Sequence, residues 1–406
     1  MKILDMSIES FGPEAKIFGG KYNGFQRYDK YLYPQIKKLE KNMRGAFWTP
    51  EEISCERDRI NFPNLPKHIQ EILKRNLVFQ TLMDSGQNRG VDGVLAELTT
   101  LPETEALFKT LAYFEYIHSL TYSEIVRAFE SLFAQKIFDT LSKNEKILSR
   151  MDKETDLYNM FKSFGGTTID EIITPQIEGL ENLYKLAENP ESKRKIKETI
   201  QKQKELLNIL LKDTKIQEEL KKKLVELLIR IYALEGLKFY VSFLITYTIN
   251  NSYSNAIPGA TRMIKLINFD EDKHLAVMKN VIDILRNNER EGFSHIIKSK
   301  WFEEKAYEIF SEVVSGEIAW GKYLLSFGPI PSLSNKVIEM FVKYYADKRL
   351  KYIGLDPLYK QPSFDIIEWF EFYKDPNKDN TAQQEGESLN YNIGGLIDDL
   401  GDEIII

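Results

Sequence analysis

Apolar residues recur every three to four positions through most of this chain, the period of a helix with one buried face, while strand-type alternation is sparse. The pattern predicts an all-α fold. Pro63 and Pro66 stand ahead of a helix over roughly Lys67 to Ser85, and Pro102, near a first turn, opens a second that continues to about Phe133. Ile177 to Lys223 is rich in Lys and Glu, with breaks near Asn189-Pro190 and near Lys212-Asp213-Thr214, which predicts a solvated helical hairpin inserted in the bundle. A strongly apolar helix follows from about Ile216 to Ile249, then another over roughly Gly259 to Asn287. After about Phe372 the chain turns polar and acidic, so residues 1–374 are expected to form one helical domain and 375–406 a flexible tail. Tyr391, Leu396, Leu400 and Ile404 to Ile406 give that tail an apolar end, which suits a docking peptide; a frayed terminus without a role is the plainer alternative.

Composition narrows the function classes. The 406 residues carry a net charge of -6 with no dominant basic face, which argues against a nucleic-acid partner. Met1 to Glu9 holds Asp5 and Glu9 and no apolar core, so no secretory signal is expected. The apolar stretch around Phe239 to Ile249 is too short to span a bilayer, so no membrane association is expected either. A cytoplasmic protein is predicted. Cys55 is the single cysteine, which rules out an intrachain disulfide, a cysteine-built metal site and dithiol chemistry within the chain. The only histidines are His68, His118, His274 and His295, so a metal site here must rely on carboxylates.

Two of those histidines follow a glutamate by three residues, Glu115 to His118 and Glu271 to His274, a spacing that puts both side chains on one helix face. One such pair arises easily by accident. Here Phe108, Leu111, Glu115, His118 and Tyr122 form a single stripe, and Ile264, Ile267, Glu271, His274 and Met278 form another, so both pairs point inward. Leu73, Leu77, Gln80 and Asp84 continue an apolar line into a carboxylate, and Glu235 lies at the edge of the stripe Leu220, Leu224, Leu227, Leu228, Ile231 and Leu234. Burying an unpaired carboxylate costs several kcal/mol. Lys and Arg are missing from these stripes, whereas four carboxylates and two imidazoles are the usual donors for two cations inside a four-helix bundle.

The segments Leu77 to Ser85, Glu115 to Tyr122, Ala233 to Phe243 and Asp270 to His274 resemble, in order and spacing, the metal-binding segments of the small subunit of class I ribonucleotide reductases of the tyrosyl-radical type. The similarity runs from about Phe47 to the tail. It implies a ferritin-like bundle with two irons per chain, manganese being possible with the same ligands. Asp84, Glu115 and His118 would bind one metal and Glu235, Glu271 and His274 the other, with Glu115 and one further carboxylate bridging. Tyr122 matches the radical tyrosine and lies one turn past His118; Phe239, Phe243 and Ile267 would wall it from water. Trp48, Asp270 and Tyr391 match the radical-transfer path, although Trp48 alone reads equally well as a core anchor. The resemblance further implies a homodimer whose tail docks on a large catalytic subunit of a thioredoxin- or glutaredoxin-dependent ribonucleoside-diphosphate reductase. Leu111 and Phe269 depart from it, standing where familiar bacterial members tend to carry Trp and Arg.

Two rivals share the ligand inventory. A di-metal oxidase or oxygenase acting on a small or lipid substrate would have no use for Trp48, Tyr391 or a docking tail. Ferritin-like iron storage would need a cage of many short chains.

Overall fold

In the computed structural model, which describes residues 12, 15–20, 25–130, 132 and 134–375, the predicted helices form with their inward faces where the apolar period puts them. The longer ones are α1 (Pro34–Gly45), α2 (Lys67–Gly90), α3 (Pro102–Phe129), α4 (Asp152–Phe164), α5 (Ile169–Leu186), α6 (Pro190–Leu210), α7 (Thr214–Ala233), α8 (Tyr240–Ser252), α9 (Pro258–Asn287), α10 (Lys300–Leu325), α11 (Asn335–Tyr352) and α12 (Asp365–Tyr373). Among the described residues the only β-type pairings are two isolated bridges, Phe18 with Thr99 and Ile330 with Leu333.

Four rods carry the inward acids, and side-chain bonds fix their directions. On α2 and α3, Asn88 donates to the Ala112 carbonyl at 2.7 Å and Gln80 to the Tyr122 hydroxyl at 3.3 Å, so the two run antiparallel. Asn76 donates to the Ser242 carbonyl at 3.0 Å near one end of α2, and Gln87 to the Glu235 carboxylate near the other. That sets the α7–α8 rod antiparallel to α2. Tyr240 donates to Asp272 at 2.9 Å and Tyr247 to the Ile264 carbonyl at 3.3 Å, so α9 runs antiparallel to α8. The result is a bundle in which each neighbour reverses direction, closed by α10 and α11 against its flank.

The reversal from α8 to α9 is tight. Ser254 and Asn255 take φ of 53° and 58°, and the Asn250 side chain accepts from the Ile257 backbone at 2.9 Å, which substitutes for a helical bond where the chain turns. Pro258 then starts α9 with its fixed φ. The free N–H groups of that first turn are met by buried Asp58, which accepts from Gly259 at 2.9 Å and Ala260 at 2.8 Å. A Cβ at residue 259 would lie 2.4 Å from the Ser54 carbonyl, so only glycine lets the Asp58 segment come this close. Asp58→Ala is therefore expected to lower stability by about 1–2 kcal/mol, the usual cost of a lost cap, with Asp58→Asn costing less. Denaturant unfolding of both variants checks it; equal stability of wild type and Asp58→Ala would refute the capping role.

The apolar rod expected over Ile216 to Ile249 is not one continuous α-helix. A π turn over Leu234–Lys238 separates α7 from α8, and a second over Val91–Ala96 follows α2, which runs past Ser85 to Gly90. A π turn holds an extra residue, so it rotates everything after it relative to a 3.6-residue face. Glu235, read from the sequence as lying at the edge of its stripe, is fully buried, and every residue from Leu224 to Asn250 is buried with it. The second helix also stops at Phe129 rather than near residue 133.

The Lys/Glu-rich hairpin forms, with its breaks where Asn189 and Asp213 cap the next helices, but its first helix begins at Ile169 rather than Ile177. It has a small core of its own, Ile169, Ile173 and Ile177 against Ile200, Leu207 and Leu210, and α6 buries none of its residues. The tail, including Tyr391, lies outside the described residues.

Candidate metal centre

Asp84 on α2, Glu115 and His118 on α3, Glu235 on the π turn, and Glu271 and His274 on α9 meet at the middle of the bundle, each at most 1% exposed. Glu115, His118, Glu271 and His274 each offer an atom to a group that spans no more than 4.8 Å. His118 Nδ1 lies 3.2 Å from Glu271, 3.8 Å from Asp84 and 3.9 Å from Glu115. His274 Nδ1 lies 2.8 Å from Glu115, 3.4 Å from Glu271 and 3.6 Å from Glu235. Glu115 and Glu271 thus touch both imidazoles, while Asp84 and Glu235 each flank one. This is a two-centred arrangement with Glu115 and Glu271 in the middle.

The donor atoms also pass a test of fit. Both carboxylate oxygens of Asp84, Glu115 and Glu271, one oxygen of Glu235 and the Nδ1 atoms of His118 and His274 are buried without a hydrogen-bond partner. Unsatisfied charges of this kind are strongly unfavourable in a core. Buried cations do exist nearby, contrary to what the stripes suggested, but they are engaged with other acids: Lys238 with Glu154 at 2.8 Å and Arg349 with Asp272 at 3.2 Å. The inward-facing atoms are left for cations from outside the chain, and oxygen and imidazole donors of this number suit a pair of iron or manganese ions.

Electrostatics bear the marks of crowding. Burial and then the neighbouring Glu115 and Glu271 push Asp84 well above the ordinary carboxylate range; burial and Glu271 push Glu115 up; burial and Glu235 push Glu271 up to about 7. Burial alone would lower His118, yet Asp270 and Glu271 raise it to about 9, and His274 also rises because of Glu115 and its neighbours, against burial. Each of these groups holds its proton more tightly in the folded, metal-free chain than in the unfolded one. The stability tied to those protons is present at low pH and disappears as pH climbs through the folded values. Without metal, the thermal midpoint should therefore fall between pH 5 and pH 8, whereas bound metal displaces the protons and should flatten that slope. Calorimetry with and without chelator measures it. A metal-free midpoint that rises over this window contradicts the proposed cluster.

Behind His118, its Nε2 lies 3.3 Å from Asp270, which also accepts from Trp48 Nε1 at 2.7 Å and from Lys273 at 2.8 Å. Burial opposes ionisation of Asp270, but Lys273 and His118 outweigh it and hold its pKa near 2. Lys273 sits 3.9 Å over the Phe269 ring. The Trp48 and His118 rings lie 6.4 Å apart and nearly parallel. The side chains expected to act together here are brought together.

Tyr122 is fully buried one turn beyond His118, and its hydroxyl accepts from Gln80 Nε2 at 3.3 Å. Burial, followed by the charges of Asp84 and Glu271, raises its pKa well above the ordinary tyrosine value. Phe239, Phe243 and Ile267 are fully buried in the same core, with the two phenylalanine rings 5.9 Å apart, and Leu111 is buried too. Sequence reasoning overlooked Gln87 and Tyr158. Tyr158 donates at 3.0 Å to Gln87, which in turn donates to Glu235. Gln87 continues the Leu73, Leu77, Gln80, Asp84 line by three residues and was readable there; Tyr158 comes from a helix with no motif.

Together the bundle and its acids define the class: an all-α helical bundle around a buried carboxylate and histidine group that fits a di-metal site. The comparisons narrow this. The sequence matches the family described as ribonucleotide reductase, small chain, over residues 27–177 and 169–365, and the chain belongs to that family. It is 30% identical over 390 residues to the ribonucleoside-diphosphate reductase subunit beta of Buchnera aphidicola subsp. Baizongia pistaciae, covering 96% of this chain and 94% of that one. It is 29% identical to the ribonucleoside-diphosphate reductase 1 subunit beta of Escherichia coli O157:H7, covering 94% and 92%. In fold it is similar to the ribonucleotide reductase R2 subunit from Clostridium botulinum, with a TM-score of 0.67 at 23% identity over 88% of this chain and 94% of that one. It is also similar to the dimanganese(II)-NrdF of Streptococcus sanguinis, with a TM-score of 0.57 at 17% identity over 86% and 98%. No described helix is long and apolar enough to cross a membrane.

Proposed function

We propose that this small chain of a ribonucleotide reductase binds two metal ions, iron by preference and manganese as the alternative, and uses oxygen to make and keep a radical on Tyr122. Asp84, Glu115 and His118 would hold one ion, Glu235, Glu271 and His274 the other, and Glu115 and Glu271 would bridge. The bound pair would supply, from oxygen, the oxidising power to withdraw an electron from a phenol. What carries the reading is the ring of unpartnered, buried carboxylate and imidazole atoms with Tyr122 one helical turn away.

The chain's own residues account for the rest. Gln80 donates to the Tyr122 oxygen, leaving the phenolic proton free to face the carboxylates, of which Asp84 exerts the largest influence on it. Phe239, Phe243 and Ile267 would keep water and reductants from the oxidised ring. Asp270 fixes His118 so that Nδ1 faces the cluster, and it ties His118 to Trp48, making a continuous polar contact from the cluster to the buried Trp48 ring. Because Cys55 is the single cysteine and its thiol is pushed up to about 12 by burial, the thiols that reduce a ribose must sit on another protein. The reading therefore includes a homodimer in the cytoplasm that docks a large catalytic subunit through residues 375–406 and passes the radical by way of Trp48, Asp270 and Tyr391. Reconstituting the purified chain with ferrous iron and oxygen tests it. A tyrosyl signal by electron paramagnetic resonance is expected, and two bound metals without such a signal would overturn the proposal.

A further inference from the structure

The π turn that carries Glu235 sits wholly inside the protein, and a π turn disturbs the regular i to i−4 bonding of the helix it interrupts. Backbone groups loosened in a dry core need partners from elsewhere. A charged side chain from outside the four rods supplies one. Arg349 of α11, 1% exposed, donates through Nε to the Gly236 carbonyl at 3.2 Å.

Arg349 reaches further than Gly236. Its Nη2 donates to Asp272 at 3.2 Å and to the Tyr240 hydroxyl, and its own carbonyl accepts from Tyr232 at 2.8 Å. The other Asp272 oxygen accepts from Lys374 at 2.8 Å, so this carboxylate is held at both ends. A Cβ at Gly236 would stand 2.7 Å from Leu275 and 3.2 Å from the Arg349 side chain, so glycine is what lets the arginine approach. Gly236 follows Glu235 directly and Asp272 follows Glu271 directly. One guanidinium therefore grips the chain beside two of the cluster's carboxylates, on two different helices, without touching either carboxylate.

We propose that Arg349 is a positioning residue of the metal centre: by bridging Gly236 to Asp272 it sets where Glu235 stands relative to Glu271. This rests on the reading of the cluster as a two-metal site. A planar fork with several donors suits the task; a lysine at the same place keeps the charge and the pairing with Asp272 but cannot also reach the carbonyl in the same geometry. The metal flanked by Glu235 and His274 depends on the bridge through both Glu235 and Glu271, and the one flanked by Asp84 and His118 through the shared Glu271 alone.

The test is Mn(II) titration of metal-free protein, read by electron paramagnetic resonance, for wild type, Arg349→Lys and Gly236→Ala, with the thermal midpoint of each metal-free chain measured alongside. Wild type is expected to take up two ions. In Arg349→Lys one of the two should bind about 10- to 100-fold more weakly, the range seen when outer-shell partners of a metal site are altered, with the other weakened less and the metal-free chain still folded. Gly236→Ala, whose added methyl crowds Leu275 at 2.7 Å as well as the Arg349 side chain at 3.2 Å, should likewise weaken the ion beside Glu235 and His274. Two ions bound with wild-type affinity in both folded variants would overturn the bridge. Loss of both sites together with the fold in both variants would reduce Arg349 to a structural residue and overturn it too. A wild type that binds no Mn(II) would instead defeat the metal reading beneath it.

Discussion

Tyr122→Phe is expected to abolish the tyrosyl radical while leaving two metals bound and the fold intact. The ring packs as before, and the variant loses the hydroxyl that accepts from Gln80 at 3.3 Å, leaving that buried amide donor unpaired at a cost of about 1–3 kcal/mol. The radical has nowhere comparable to go. Of the other buried tyrosines, Tyr240 is bonded to Asp272 and Arg349, and Tyr247 donates to the Ile264 carbonyl. Tyr158 is the serious rival, because Gln87 links it to Glu235. It sits on the opposite flank from Trp48's contact with Asp270, so a radical there would start away from the exit. Electron paramagnetic resonance with parallel metal analysis decides the matter. An unchanged signal in Tyr122→Phe would move the radical site, and Tyr158→Phe would be the variant to make next.

The second large effect concerns leaving the core. Trp48→Phe keeps an aromatic ring near His118 but deletes the donor to Asp270, whereas Asp270→Ala deletes the partner of Trp48, His118 and Lys273 at once. Trp48→Phe should retain metal content and radical yield yet lose ribonucleotide reduction with the large subunit, by about 10- to 100-fold or more. Asp270→Ala should fail earlier, since an imidazole without its outer carboxylate is a poorer and less well oriented ligand. Radical yield and turnover, measured on the same preparations, separate the two. Normal turnover in Trp48→Phe would show that the contact is a packing feature alone.

How much of this was legible depended on whether the chemistry lay on a regular helix. Glu115, His118 and Tyr122 follow spacings of three and four along one uninterrupted rod, so their common face could be drawn from numbers alone, and the same holds for Glu271 and His274. Glu235 resisted because every residue from Leu224 to Asn250 is buried, so its stripe has no edge to read. Asp270 was placed by resemblance; as a residue beside a ligand it has no periodic signature of its own, and only the 2.7 Å contact with Trp48 reveals the partnership. Tyr158, Lys238 and Arg349 were invisible for a different reason. Each is held near the site through contacts between segments far apart in sequence, Lys238 on Glu154 and Arg349 on the Gly236 carbonyl, and a lone buried cation or phenol carries no local pattern. Lys and Arg are absent from the stripes themselves, and the buried cations Lys238 and Arg349 come from positions outside them.

The order in which the ligands occur has a consequence for biosynthesis. Asp84, Glu115 and His118 emerge from the ribosome first, and the whole charged hairpin must be made before Glu235, Glu271 and His274 appear, with Arg349 later still. At ordinary elongation rates the first three wait some tens of seconds. During that interval α2 and α3 can pair, but the acids between them face water and cannot enclose an ion. On the proposed two-metal reading, a chain that ends before Glu235 lacks three of the six donors, so metal would enter the finished protein.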